Sequence, residues 1–444
     1  MAPIEIATQL VERVRRLIAG DGDIAGRNAL AVFIIRVASA GILYLSHAFL
    51  ARLMGTSEFG LFVYIWVWVT VLGTLSTFGF NTTVLRFIPE YSNSKSDSLL
   101  VGVIRRSRRF VFAASAAVAL IGITIVQSFP QAVGNANILA YTIGLLCVPL
   151  FASTIQQEYV ARTFNWITVA FLPAYIIRPL LLLAVMLVLV LVGQPATAVL
   201  TLTVAGSAAF ATLAFQVSAL NRRLQSVLPP VKPSYRAMDW FRVSFPTFLV
   251  DALFLLLSYI DIVMLQALMG SKKVAIYYAA TKTGSIVSFV YFSIAAVTTH
   301  RFAAQYAAHD LAAFSDTLKW ATRWIFWPTL AATLFFIAFG KPVLWLFGTE
   351  FQQGYWALVI LLTGLLIRSA FGPAEHILNM TGNQNLTALA LFATIALNVA
   401  LNYWLIPLYG LEGAAMATSV SIVFAALTLA SLINLRVGVR PGVI

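Results

Sequence analysis

Apolar residues recur along this chain in stretches of 22 to 29 residues, separated by short polar segments. About 20 apolar residues are what an α-helix needs to cross the hydrocarbon core of a bilayer. The pattern predicts twelve membrane-spanning helices at residues 29–52, 59–86, 99–127, 138–160, 165–192, 196–220, 240–268, 274–300, 318–340, 355–380, 386–407 and 412–434. We therefore expect an all-α polytopic membrane protein. Pro173 and Pro179 interrupt the fifth helix and predict a kink there.

One segment occurs twice, at an offset of 215 residues. Leu53-Met54-Gly55 opens a segment that ends with Arg86-Phe87, and Leu268-Met269-Gly270 opens one that ends with Arg301-Phe302. Seven of the 39 aligned pairs are identical, so coincidence of hydrophobic composition is the alternative. An offset near half the chain length favours two copies of one unit. Because each copy contains six helices, both enter the membrane from the same side, as parallel repeats.

Two pseudo-symmetric six-helix lobes, residues 28–220 and 237–436, are thus expected around a central cleft. A polar, proline-containing linker at residues 221–236 joins them, and residues 437–444 form a C-terminal tail. Residues 1–27 carry apolar residues at helical spacing with arginines among them. That spacing predicts an interfacial amphipathic helix, with a disordered tail as the alternative.

Composition supports a membrane protein and excludes several other classes. The chain is 60% hydrophobic and 10% charged, with a mean hydropathy of +0.89, which is too apolar for a soluble globule. Its single cysteine, Cys147, excludes an intramolecular disulfide framework. The sequence has neither a phosphate-binding glycine loop nor a nucleophile elbow, nor metal-ligand spacing. We expect no enzyme activity, no cofactor and no metal.

The formal charge of +13 reflects topology. With the predicted helices, 21 of the 29 lysines and arginines lie on the N-terminal side of the membrane and four lie on the opposite side. This asymmetry places both termini in the cytoplasm. It argues against nucleic acid as a partner, and it leaves binding to anionic lipid head groups as a secondary role for the basic side.

Charged side chains at membrane depth are the candidate functional residues. Each costs about 2.5 to 3.5 kcal/mol at a helix centre, so they must face a cavity or one another. Seven are expected there: Arg36, Arg178, Asp251, Asp261, Lys282, Arg368 and Glu375. Polar residues accompany them at helical spacing and predict a hydrated cleft, lined also by Asn81, Asn379, Asn398 and Asn402.

The roles of these charges remain open on sequence alone. The repeat register sets Arg36 opposite Asp251, which permits a salt bridge that merely neutralises both residues. Arg178 and Lys282 have no acid nearby in sequence and are candidates for substrate contact. Glu375 lies two turns from Arg368, so we expect it to bond to another helix.

Two further sets of polar residues have other expected roles. His47 and His300 are expected to be satisfied interfacial side chains. Arg86 with Glu90, and Arg301 in the second copy, are expected to stabilise the cytoplasmic ends of their helices.

Three runs carry a family resemblance: Leu50-Ala51-Arg52-Leu53-Met54-Gly55, Ala275-Ile276-Tyr277-Tyr278-Ala279-Ala280, and Ile406-Pro407-Leu408-Tyr409-Gly410-Leu411-Glu412-Gly413. The chain resembles the bacterial polysaccharide transporters, or oligosaccharide-lipid flippases, of the multidrug/oligosaccharidyl-lipid/polysaccharide exporter superfamily. The resemblance implies alternating access between two lobes and export of a polyprenyl-pyrophosphate-linked oligosaccharide for surface polysaccharide.

That resemblance also assigns roles and partners. It implies a cationic cleft for the pyrophosphate, which fits Arg36, Arg178, Lys282 and Arg368, whereas Asp251, Asp261 and Glu375 are candidates for ion coupling. The expected location is the bacterial inner membrane, with a polysaccharide polymerase or glycosyltransferase as a partner. The alternatives are a cation-coupled multidrug antiporter of the same superfamily and, from another class, a membrane glycosyltransferase or polymerase.

Overall fold

The computed structural model describes residues 24–228, 230–439 and 442, with all their side chains except those of residues 24–34, Arg36 and Ala132. The predicted interfacial helix within residues 1–27 therefore lies almost wholly outside the described residues, as does half of the predicted tail. Every regular element in the described ranges is helical, as the sequence predicts.

The described helices are α1 (Ile24–Leu75), α2 (Phe80–Asn93), α3 (Asp97–Ser128), α4 (Pro130–Val133), α5 (Ile138–Thr163), α6 (Ile167–Leu172), α7 (Arg178–Leu191), α8 (Ala198–Val227), α9 (Ala237–Met269), α10 (Ser271–Ala307), α11 (Leu311–Trp345), α12 (Tyr355–Ser369), α13 (Ala374–Met380), α14 (Gln384–Tyr409) and α15 (Leu411–Val437). Short 3₁₀ turns lie at Asn135–Asn137 and Thr349–Gly354, and a π turn lies at Pro173–Ile177.

Within the described residues, eleven helical stretches are long and apolar enough to cross a membrane. The first, Val37–Asn93, has 57 residues, which would measure about 85 Å as one straight helix. A bilayer core is only about 30 Å thick, so this stretch must cross twice. The reversal falls at Gly55, where the backbone leaves the helical region (φ 71°, ψ 174°). The twelve predicted crossings are accounted for in this way.

The internal repeat is visible in the backbone at its first residues. Gly270, which is 215 positions after Gly55, has φ 79° and ψ 176°, nearly the same conformation. Residues with a Cβ atom essentially never adopt this combination, so glycine is required at both positions. Each copy thus turns between its first and second helices with the same backbone geometry.

Three predicted helices are interrupted. The predicted helix 59–86 breaks at residues 76–79, where Phe78 has φ 47°. The predicted helix 355–380 breaks at residues 370–373, where Gly372 has φ 66°. The fifth helix contains a π turn that begins at Pro173, so the predicted irregularity at the prolines of this helix is present as a wider turn.

By the internal contacts of its described residues the chain forms two compact units: residues up to 46 with 68–249, and residues 47–67 with those from 250 onward. The first described core packs α2, α3, α5 and α8 around Phe87, Val103 and Val160, together with Trp240 from the start of α9. The indole of Trp240 is fully buried and donates a hydrogen bond to the Tyr91 hydroxyl (2.9 Å). This bond fixes the first turn of α9 in unit 1.

The second unit contains the α1 turn, residues 47–67. Gly60 lies against the backbone of Ser271, and a Cβ atom at residue 60 would come within 1.9 Å of the Ser271 carbonyl oxygen. Arg52 donates hydrogen bonds to the carbonyl oxygens of Trp345 and Leu346 (both 2.8 Å). The two glycine-flanked turns of the repeat therefore pack closely within this unit.

The predicted lobe boundaries at the 221–236 linker stay a prediction. The units differ from those lobes in two segments, because residues 47–67 pack with the second unit and residues 237–249 pack with the first.

Candidate functional site

A cavity of about 370 Å³ lies within unit 2, a size typical of small-ligand sites. Its walls come from α9, α10, α12–α14 and α15. Aromatic rings of Phe254, Phe292 and Phe371 form much of the apolar lining. The charged and titratable lining residues are Arg368, Glu375 and His376. We call this space the Arg368 cavity.

Arg368 is held by an aromatic ring. Its guanidinium carbon lies 4.3 Å from the centroid of the Tyr291 ring, within the range of a cation–π interaction. Tyr291 is buried at the base of the cavity and also lies 6.2 Å, centroid to centroid, from His376. The ring compensates in part for the burial of the cation, and a guanidinium has five N–H groups, so it can also donate to an anion.

The break between α12 and α13 brings Arg368 and Glu375 to the same cavity. At Gly372 a Cβ atom would lie 2.4 Å from the Thr322 hydroxyl oxygen, and the positive φ angle also favours glycine. α12 therefore ends just after Arg368, and α13 begins just before Glu375. The two charges line one cavity without forming an ion pair within the described chain.

Lys282 occupies a second polar position in unit 2. Its ammonium nitrogen lies 5.0 Å from the centroid of the Tyr278 ring, one turn earlier on α10. The Tyr278 hydroxyl is 3.5 Å from Nε2 of His47, and both rings are buried. Lys282 thus sits on an aromatic cluster, which compensates in part for the burial of a cation.

Asp261 is buried in hydrogen bonds. It accepts the Tyr277 hydroxyl (2.7 Å) and, more distantly, the Thr418 hydroxyl (3.5 Å) on one carboxylate oxygen. Its other oxygen accepts the backbone N–H of Ile262 (2.8 Å). These donors come from α9, α10 and α15. The carboxylate therefore ties three helices of unit 2 together.

Arg178 lies in unit 1, at the start of α7 after the π turn. Its guanidinium carbon is 5.5 Å from the centroid of the Phe151 ring. Glu158, which the sequence analysis missed, is 5% exposed and lies within electrostatic range of Arg178. Glu158 also accepts the Tyr175 hydroxyl (3.3 Å) and pairs with Arg162 (3.8 Å). An acid distant in sequence is therefore close to Arg178 in space.

The predicted polar lining is mostly buried. Asn402 donates to the backbone and side-chain oxygens of Asn398 (both 3.0 Å), and both residues are fully buried. Asn81 accepts the Thr77 hydroxyl (3.1 Å) beside the α1–α2 break. Asn379 is half-buried in α13. Their predicted place along a cleft stays a prediction.

Two predicted charges have fewer described contacts. The Arg36 side chain lies outside the described part of the chain, so its predicted pairing with Asp251 stays a prediction. Asp251 is half-buried in α9. At the helix ends, Arg86 and Glu90 form an exposed ion pair (3.8 Å), and Arg301 is exposed; their stabilising role also stays a prediction.

Aromatic partners were the main residues that sequence analysis missed. Tyr278 contacts Lys282, and Tyr291 contacts Arg368. In an apolar helix, the sequence does not distinguish such a tyrosine from any other buried aromatic residue. The spacing offered one clue: Tyr278 is four residues before Lys282 on the same helix, so the two side chains share a face.

Comparison with known families decides the class. The family model described as polysaccharide biosynthesis protein matches residues 25–301, more than half of the chain. The chain belongs to the polysaccharide biosynthesis protein family. A second model, MatE, matches residues 246–404 of this family member. No curated protein sequence matches the chain.

Several solved structures of other proteins have a fold similar to that of this polysaccharide biosynthesis family member. An inward-facing multidrug resistance MATE family transporter of the MOP superfamily matches with a TM-score of 0.74 and 14% identity, over 91% of this chain and 98% of the other. The lipid II flippase MurJ, in an inward closed conformation, matches with a TM-score of 0.69 and 14% identity, over 91% of this chain and 87% of the other. A MOP superfamily transporter from Pyrococcus furiosus matches with a TM-score of 0.62 and 15% identity, over 95% of this chain and 97% of the other. The fold is therefore that of the MOP superfamily transporters.

Proposed function

We propose that this protein is a flippase that moves a polyprenyl-pyrophosphate-linked oligosaccharide across the bacterial inner membrane, for surface polysaccharide biosynthesis. The observation that carries the proposal is the family match over residues 25–301. The lipid II flippase with the same fold supports a lipid-linked substrate. Both termini lie in the cytoplasm in this proposal, as the distribution of basic residues predicts.

The chemistry of the Arg368 cavity supports the proposal. The in-plane N–H groups of Arg368 suit phosphate oxygens, which a guanidinium binds in a two-pronged geometry. Phe254, Phe292 and Phe371 offer apolar faces on which sugar rings can stack. Arg36, Arg178 and Lys282 are the other proposed phosphate contacts, and Asp251, Asp261 or Glu375 would couple transport to a cation or proton.

Transport proceeds by alternating access in this proposal, as the family resemblance implies. The head group enters from the cytoplasm and binds the cationic residues, while the lipid tail stays in the bilayer. A polysaccharide polymerase or glycosyltransferase on the outer side would then receive the exported unit.

A multidrug antiporter is the second candidate function. The MatE match over residues 246–404 and the similar fold of a multidrug resistance transporter favour it. The Arg368 cavity combines aromatic rings with Glu375, a combination that would also accept a lipophilic cation.

Measuring glycan export in cells that lack the protein distinguishes the two candidate functions. We expect the lipid-linked glycan to accumulate in the cytoplasmic leaflet, and we expect wild-type protein, but not Arg368→Gln or Arg178→Gln, to restore export. Arg436→Gln, which removes an exposed cation near the end of α15, is the matched control and should restore export fully. Normal glycan export together with increased sensitivity to lipophilic cations would contradict the flippase and favour the antiporter.

A further inference from the structure

A second cavity, of about 440 Å³, lies within unit 1 between α3, α8 and the start of the linker. Its apolar wall includes Ile104 and Leu224, and its polar rim consists of Arg105, Arg108, Asn221 and Gln225. Two cations and no acid are among the described lining residues. We call this space the basic groove.

Specific contacts between α3, α8 and the linker shape the basic groove. Arg108 donates a hydrogen bond through Nη1 to the Asn221 side-chain oxygen (2.8 Å), so α3 and α8 hold the guanidinium in place. The linker closes one end because Ser234 donates its backbone N–H to the Ser98 carbonyl oxygen (2.9 Å). Gly102 permits this contact, since a Cβ atom there would lie 1.8 Å from the Ser234 carbonyl oxygen.

The groove lies at the expected depth of lipid phosphates. From residue 110 to the end of α3 at Ser128 there are 19 residues, which span about 28 Å and fill a bilayer core of about 30 Å. Arg105 and Arg108 precede that stretch and therefore lie at the head-group level. The distribution of basic residues predicts that this side is cytoplasmic.

We propose that the basic groove binds an anionic phospholipid of the cytoplasmic leaflet, with the head-group phosphate on Arg105 and Arg108 and the acyl chains in the adjoining bilayer. Charge complementarity carries the assignment, because two arginines at the head-group level, with no acid among the described lining residues, match the phosphate of an anionic lipid. The basic groove shares no residue with the proposed transport site, and the proposal does not depend on the transported substrate.

Thermal melting of the purified full-length protein in detergent micelles tests the proposal, with phosphatidylglycerol as the titrant. We expect the melting temperature to rise with phosphatidylglycerol for the wild type. Each arginine near a head group contributes about 1 kcal/mol, or about fivefold in affinity. R105Q/R108Q should therefore need about 25-fold more lipid for the half-maximal rise.

R106Q/R109Q is the matched control, since it removes two exposed arginines of the same helix that do not line the groove. It should respond to phosphatidylglycerol as the wild type does. If R105Q/R108Q fails to fold, Q225E decides the matter, because Gln225 is exposed at the rim. This variant should need about fivefold more lipid.

Several results would overturn the proposal. Equal shifts for R105Q/R108Q and R106Q/R109Q would mean that diffuse surface charge attracts the lipid. Equal stabilisation by phosphatidylcholine would show that charge has no role, and equal stabilisation by inorganic phosphate would show that no lipid is needed. Tighter binding of a polyprenyl phosphate than of phosphatidylglycerol would make the groove a substrate site.

Discussion

Arg368 carries its charge at membrane depth against an aromatic ring. The Tyr291 ring lies 4.3 Å from its guanidinium carbon, and Glu375 lines the same cavity without a direct ion pair within the described chain. A charge that is fully neutralised by a carboxylate would offer little to a ligand, whereas a stacked guanidinium retains donors for an anion.

Arg368→Gln is expected to lower transport of the lipid-linked oligosaccharide at least about tenfold, because one charge-assisted hydrogen-bond pair contributes about 1.5 to 3 kcal/mol. Arg368→Lys should retain an intermediate rate, since it keeps the charge but loses the planar fork. The rate in vesicles that contain each purified variant checks this. Equal rates for Arg368→Gln and wild type would remove Arg368 from the substrate site.

Asp261 shows a structural use of a buried carboxylate. Tyr277→Phe should reduce the free energy of unfolding by about 1 to 3 kcal/mol, because it leaves a buried carboxylate oxygen without its 2.7 Å donor. Thr418→Ala should cost less, since its hydroxyl is 3.5 Å away. Equilibrium unfolding in mixed micelles measures both, with the exposed Tyr403→Phe as control. A Tyr277→Phe variant as stable as the control would disprove this role.

At the element scale, the sequence predicted the helices well and their interruptions poorly. Hydrophobic length fixed the twelve crossings, because bilayer thickness sets a minimum length for each. The break at residues 76–79 includes Gly79 (φ 72°), which favours a positive φ angle, but Phe78 (φ 47°) does not, so the glycine alone did not locate the break. Tertiary contacts stabilise it instead: Phe78 stacks on Phe248 at 5.1 Å, and the Ser244 hydroxyl donates to the Phe78 carbonyl oxygen.

The sequence predicted the charged residues of the candidate site but not the cavity around them. The cost of burying charge identified Arg368, Glu375 and Lys282 from the sequence alone. The cavity that Arg368 and Glu375 line depends on the break at residues 370–373 and on Tyr291 from another helix. The sequence did not single out Glu158 because this residue lies near the predicted end of its helix. Only the packing of α5 shows that it is buried.

The repeated turn gives a prediction that separates backbone strain from packing. No atom lies within 4 Å of a Cβ placed at Gly55 or Gly270, so Gly55→Ala and Gly270→Ala should each cost about 1 to 3 kcal/mol through backbone strain alone. Gly41→Ala, in open space within α1, should instead stabilise by about 0.5 to 1 kcal/mol. Unfolding in mixed micelles measures all three. Neutral substitutions at both turns would contradict the conformation described for the repeat.

The linker gives a second prediction at this scale. Gly102→Ala should displace Ser234, since the new Cβ atom would overlap the Ser234 carbonyl oxygen. We expect trypsin to cleave after the exposed Arg236 at least about fivefold faster, because the local opening becomes more frequent. Gly41→Ala is the control and should be cleaved at the wild-type rate. Unchanged cleavage in Gly102→Ala would contradict docking of the linker on α3.

At the scale of the whole molecule, the family and the fold agree on a membrane transporter architecture. The family match covers residues 25–301, and solved structures of MOP superfamily transporters share the fold at 14–15% identity. Such identities fix the arrangement of helices and leave the substrate to the residues of this chain. The guanidinium of Arg368 is the feature that favours a phosphate-linked substrate in this proposal.

The most direct test of this account measures lipid-linked glycan flipping by the purified protein in sealed vesicles. Polyprenyl-pyrophosphate-linked oligosaccharide is placed in both leaflets, and a membrane-impermeant glycosidase digests the outward-facing half. We predict that wild-type protein makes nearly all of the glycan accessible and that Arg368→Gln does so at least about tenfold more slowly, whereas vesicles without protein stop near one half. Digestion that stops near one half with folded wild-type protein would contradict the flippase.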